Sequence, residues 1–236
     1  DTNLCEADYD ETGFTRPGAW ADYLTLPARL LHVLPAGADL RAAAALEPAA
    51  CVAAAGLKAA VVPGERVAVV GAGTLGLLAT QLLRAAGPGE LTVVDPKPDR
   101  AELAYRCGAT ALLSPAEAAR AAAGRFDAVV EAAGVAGAAR LAVHLARRGG
   151  RVVLLGIPGT DDEPPSPTDL VLNQVTVLPV FGAPSRAWSH AVRAFASGVL
   201  DPAAVITHEL PLAEAPAAFD LLADPRAGAV KVLLRP

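Results

Sequence analysis

The chain has no methionine among its 236 residues, only three cysteines, and aromatic side chains at 4%. Three thiols in a chain this long do not make a disulfide framework, so the expected setting is reducing and cytoplasmic. Positive charge is also short, with 20 Lys and Arg against 25 Asp and Glu and a net charge of −5. No Lys/Arg cluster is long enough for a nucleic-acid patch, which excludes that class of partner. A long uninterrupted apolar run is missing too. The alanine-rich stretch Ala42 to Val62 carries Glu47, Pro48 and Lys58, so it reads as buried helical pieces and not as a membrane span. The N-terminus is polar and acidic, unlike a signal peptide. A chain that begins at Asp1 and lacks methionine is expected to be a fragment, or one whose beginning is absent.

The segment Arg66-Val-Ala-Val-Val-Gly71-Ala-Gly73-Thr74-Leu75-Gly76 is the most informative part of what is there. A short apolar strand runs into a G-x-G-x-x-G turn, and a helical stretch follows to Arg84. Gly71 allows the tight turn, Gly73 lets a pyrophosphate approach bare backbone, and Gly76 lets the helix pack closely on the strand. The helix N-terminus offers backbone N–H groups and the positive end of its dipole to phosphate. A second apolar strand ends on Asp95, 24 residues after Gly71, close to the roughly 20 expected for the acid that holds the ribose. Its carboxylate accepts hydrogen bonds from ribose hydroxyls and repels a 2′-phosphate, which points to NAD as cofactor. Lys97 and Arg100 follow, either near the adenine edge or available to a phosphate.

From Val61 onward, strand-like and helix-like runs alternate. Strands are expected at Arg66–Val70, Leu91–Val94, Ala111–Leu113, Ala128–Glu131, Arg151–Leu155 and Thr176–Val180. Helices are expected at Leu77–Ala86, Asp99–Cys107, Pro115–Ala123 and Gly137–Arg147. Apolar strands without polar alternation predict an α/β fold with a doubly wound parallel sheet. Ligands of such sheets lie beyond the carboxyl ends of the strands, so Ala133, Gly134, Gly156 and Ile157 are candidate cofactor contacts. Residues 1–49 read as loop-rich with a strand at Ala21–Pro27. The tail reads as strand, helix, strand: Ile206–Leu210, Leu212–Leu222 and Val230–Leu234. Asp161–Pro167 is expected to be a polar, proline-rich surface loop.

Taken together, Gly18-Ala-Trp-Ala-Asp-Tyr-Leu24, Leu46-Glu47-Pro48, Pro63-Gly64-Glu65, Gly71 to Gly76, Phe126 to Gly134, Arg148 to Val153 and Gly228 to Val232 resemble the zinc-containing medium-chain dehydrogenases. The resemblance is to the branch of sorbitol, threonine and related polyol dehydrogenases, and it covers nearly all of residues 4–236. It implies a Rossmann domain over 50–182, flanked by parts of a GroES-like β-rich catalytic domain at 1–49 and 183–236. It implies Cys5 as a ligand of a structural zinc, and Glu47 as catalytic, at or beside the catalytic zinc. It places Phe181 near the nicotinamide and predicts a homo-oligomer, dimer or tetramer. Cys51, one turn beyond Glu47, is close enough to be an alternative ligand but reads as a small, buried, inert thiol; Cys107 and the four histidines are read as structural, and Lys231 as structural or peripheral.

The implied activity is hydride transfer between an alcohol or polyol and NAD, with zinc and NAD as cofactors and a small-molecule substrate as partner. The sparse aromatics and alanine-rich walls leave the substrate pocket illegible. Alternatives are a zinc-independent, NADPH-dependent quinone-type reductase of the same superfamily, a non-catalytic NAD-binding module, or a purely structural α/β domain.

Overall fold

Short runs rich in valine, alanine and leucine form one parallel sheet, seen in a computed structural model that describes residues 10–159 and 163–236. Its strands are β1 (Arg66–Val70), β2 (Glu90–Val94), β3 (Ala111–Leu113), β4 (Phe126–Glu131), β5 (Ala146–Leu154) and β6 (Thr176–Pro179). They lie in the order β3-β2-β1-β4-β5-β6, every neighbouring pair parallel. The chain therefore reverses its direction of winding between β1 and β4, the position at which such sheets open a ligand crevice.

β1 shows why these strands lack polar alternation. Val67 and Val69 enter one apolar core, while Ala68 and Val70 enter the core on the other face. Both faces are covered, so both alternate sets are apolar. The first core contains α2 (Leu46–Ala59), α3 (Thr74–Ala85) and α8 (Ser185–Ala196); the second contains α5 (Pro115–Ala121) and α6 (Ala138–Leu145). The short α1 (Leu40–Ala43), α4 (Ala101–Arg106) and α7 (Pro167–Asn173) complete the covering. Local chemistry sets several of the ends. Ser114 and Glu117 form a reciprocal capping box at α5, with Pro115 in its first turn. Ser166 caps α7 by accepting from Thr168 N.

The first core does not stop at residue 182. Ala187, Ala191, Ala194, Leu200 and Val205 pack into it with α2 and β1. Only after Val205 does a separate unit begin, a parallel pair β7 (Ile206–Pro211) and β8 (Lys231–Arg235) joined through α9 (Ala215–Ala223).

Some expected boundaries are corrected. Ala21–Pro27 is not a strand: Tyr23 is 92% exposed, and no described strand lies beside the segment to pair with its backbone. α3 begins at Thr74, directly on the glycine turn, and α4 is preceded by a 3-10 turn at Pro98–Arg100. α6 ends at Leu145 because β5 starts at Ala146, where an irregularity against β4 shifts the register before Arg151. Residues 161 and 162 of the expected polar loop lie outside the described residues, and the rest leads into α7. No described helix is long and apolar enough to cross a membrane.

Candidate cofactor cleft and active site

The turn after β1 has the shape that its glycines suggest. Gly71 takes φ +102°, a conformation that L side chains rarely adopt, and a Cβ there would stand 2.9 Å from Ala133 Cα. At Gly76 a Cβ would fall 1.8 Å from the Gly71 carbonyl oxygen, so α3 starts as close to β1 as backbone allows. A Cβ at Gly73 would instead meet nothing within 4 Å and would project into open space. Gly73 is the N-cap of α3, and no side chain caps that helix. This combination is a cradle for phosphate: bare backbone, open space, and a positive helix end with no side-chain cap.

Asp95 borders the same turn. Its Oδ2 accepts from Ala72 N at 2.7 Å and its Oδ1 from Lys97 N at 2.9 Å. Each carboxylate oxygen keeps acceptor capacity beyond one such bond, so the group is held in place and still able to take ribose hydroxyls. The residues of the G-x-G-x-x-G turn and Asp95 thus come together at one end of the sheet, and they fit a dinucleotide.

Arg100 is placed differently from the simple expectation. It is buried, and its two terminal nitrogens donate to Gly228 O at 3.2 Å and Ala229 O at 2.9 Å. Thr74 Oγ1 donates to the next carbonyl, Val230 O, at 2.9 Å. The Gly228–Val230 loop is therefore tied to both the start of α3 and the segment beyond Asp95.

Across the switch point, Ala133, Gly134 and Gly156 are brought together by a residue that sequence reasoning treated only as a strand end. Glu131 is 2% exposed. Its Oε1 accepts from Ala133 N and Gly134 N, both at 2.8 Å, and its Oε2 from Gly156 N at 3.2 Å. One carboxylate thereby gathers the loops after β4 and β5. The available signal was an acid closing the apolar run Ala128–Val130 just before Ala-Ala-Gly. Ile157 and Phe181 stand on the same edge of the sheet, 73% and 54% exposed, as apolar surface.

The expected metal positions are Cys5 and Glu47. Cys5 lies outside the described residues. Glu47 sits exposed in the first turn of α2, and Cys51, one turn on, places its Sγ 3.8 Å from Glu47 Oε1. Burial pushes the Cys51 thiol up to about 12, and the neighbouring Glu47 carboxylate adds to this. With no metal beside it, Cys51 is thus a neutral thiol. Among the described residues no group of three His, Cys, Asp or Glu side chains is placed to hold a metal, so they do not fit a complete zinc site. The histidines have other company: His32 stacks on Trp188 with centroids 5.7 Å apart, and His144 Nε2 lies 3.0 Å from Ala119 O. Two cavities of about 590 and 500 Å³ lie away from the carboxyl ends of the strands, against α6 and α7 and against α2 and α8.

A profile of the zinc-binding dehydrogenase family matches residues 74–197. The chain is 30% identical over 232 residues to L-threonine 3-dehydrogenase of Bacillus velezensis, covering 95% of this chain and 66% of that protein. It thus spans about two thirds of the length of the curated relatives that it matches. A solved protein assigned as a zinc-binding dehydrogenase from Sinorhizobium meliloti, bound to NADP, superposes with a TM-score of 0.89 at 31% identity, over 99% of this chain and 70% of that one. The 2R,3R-butanediol dehydrogenase of Bacillus subtilis superposes with a TM-score of 0.86 at 26% identity, over 99% and 69%. With the parallel sheet, its switch-point crevice and these matches together, the chain belongs to the zinc-binding dehydrogenase family of oxidoreductases.

Proposed function

We propose that this chain carries the cofactor-binding half of an alcohol or polyol dehydrogenase that uses NAD. The observation that carries the reading is the glycine cradle at Gly71–Gly76 with the Asp95 carboxylate fastened beside it. The nicotinamide cofactor, when bound, supplies the hydride acceptor or donor. Gly73 leaves room for the pyrophosphate, and the backbone of Thr74, Leu75 and Gly76 offers the first-turn amides of α3. Asp95 takes the ribose hydroxyls and disfavours a 2′-phosphate. Arg100 acts from behind the site by holding the Gly228–Val230 loop. Ala133, Gly134, Gly156, Ile157 and Phe181 line the other half of the crevice, where apolar surface excludes water from the reacting ring.

The dinucleotide unit in this reading runs from α2 to Val205, and residues before α2 and after Val205 belong with the catalytic domain. Glu47 is proposed as one zinc donor, and Cys5 as a donor of a second, structural zinc. Both assignments rest on the family resemblance. The substrate class, a small alcohol or polyol, rests on the relatives named above.

Two titrations test the reading. NADH at a hundredfold excess over its Kd is expected to stabilise the fold by about 2.7 kcal/mol, read as a rise in Tm. NADH is expected to bind more tightly than NADPH, and Asp95→Ser to weaken NADH about tenfold while narrowing that preference. Tighter binding of NADPH by the unaltered chain, as the NADP-bound relative allows, would reverse the cofactor assignment. Metal analysis of Glu47→Ala against the unaltered chain tests the zinc donor.

A further inference from the structure

We infer that Glu131 is a positioning residue that tunes the crevice toward the oxidised cofactor; the inference rests on the dinucleotide reading of the cleft. The loops after β4 and β5 are clamped by a single side chain. Here a full carboxylate does so, 2% exposed, with three backbone amides as its donors. Enclosing a charge in this way carries a desolvation cost that amides only partly offset. A neutral clamp of the same shape avoids it, so the charge itself calls for a role.

Two physical consequences follow from its placement. The first is geometric. Glu131 draws in Ala133, whose Cα stands against Gly71, and Gly156, where an added Cβ would meet Glu131 Oε2 at 2.6 Å. The carboxylate thereby sets the width of the crevice between the β1 turn and the β4 and β5 loops. The second is electrostatic. Asp95, at the end of β2, marks the adenosine half of the doubly wound sheet, and the β4–β6 half is left for the nicotinamide. The oxidised ring is cationic and the reduced ring is neutral. A carboxylate surrounded by protein acts over several ångströms with much less screening than one in water. Glu131 therefore attracts the oxidised ring and leaves the reduced ring nearly unaffected, shifting the balance of the two affinities toward NAD⁺.

The test uses the chain as it is. NADH binding is followed by its fluorescence and NAD⁺ by competition, for the unaltered chain and for Glu131→Gln. Removal of the charge is expected to weaken NAD⁺ about tenfold more than NADH. Glu131→Asp keeps the charge but withdraws it by one methylene, and a smaller shift of the same sign is expected; it serves alone if Glu131→Gln does not fold. An unchanged ratio of the two affinities, whatever the loss of Tm, makes Glu131 a structural clamp only and overturns the inference. If the unaltered chain binds neither form, the dinucleotide reading itself fails, and the inference with it.

Discussion

Gly76 shows how much one hydrogen in place of a methyl group decides. A Cβ there would overlap the Gly71 carbonyl, which no rotamer change relieves because the obstacle is backbone. Gly76→Ala is expected to lower stability by about 1–3 kcal/mol and to weaken NADH by at least an order of magnitude, read by thermal melting and fluorescence titration. Gly73→Ala is the contrasting case. Its Cβ points into open space, so Tm is expected to hold while NADH affinity falls. The glycine turn and Asp95 were legible because each needs only local sequence: a strand, a turn, and an acid at the next strand end. Glu131 was not legible as a site residue. Its three partners lie on two different loops, and nothing in Phe126–Glu131 tells a buried carboxylate from an ordinary solvated strand end.

At the scale of elements, the helices of the first core meet through alanine. Ala49, Ala50 and Ala53 of α2 and Ala187 and Ala191 of α8 are all fully buried. Such side chains leave no room for a larger one, so Ala191→Leu is expected to destabilise by about 1–3 kcal/mol, measured by urea unfolding. The family resemblance placed α8 with the catalytic parts at 183–236 and not with the dinucleotide unit. Packing joins it there, since its small apolar face matches the alanine face of α2. The tie between α3 and the loop before β8 was also invisible from sequence, because Thr74 and Val230 are 156 residues apart. Thr74→Val removes a single hydrogen bond of about 1 kcal/mol and is expected to speed amide exchange in β8 while leaving β1 protected.

For the whole molecule, Arg151 of β5 links the sheet to the helical layer while pairing with Glu65, just before β1. Arg151 reaches Glu65 Oε1 at 2.9 Å and Oε2 at 2.5 Å, and also donates to the Ala59 and Ala60 carbonyls at the end of α2. The Arg151 guanidinium holds the Glu65 carboxyl below its ordinary value of 4.5. A depressed carboxyl contributes stability that is complete above that ordinary value and drains away as pH falls through the folded one. Arg151→Lys is expected to cost on the order of 2 kcal/mol at neutral pH, and the gap in Tm to narrow as pH falls below about 4.5, followed by melts across pH. Sequence alone determined the alternation of strands and helices, the parallel class of sheet and the glycine turn, because hydrophobic period and backbone freedom are local properties. Only the tertiary structure decided that Ala21–Pro27 is no strand, that Arg100 faces carbonyls, and that Glu131 gathers the crevice. Each of those depends on which distant backbone groups arrive beside the residue, and burial and hydrogen-bond satisfaction are settled only when they do.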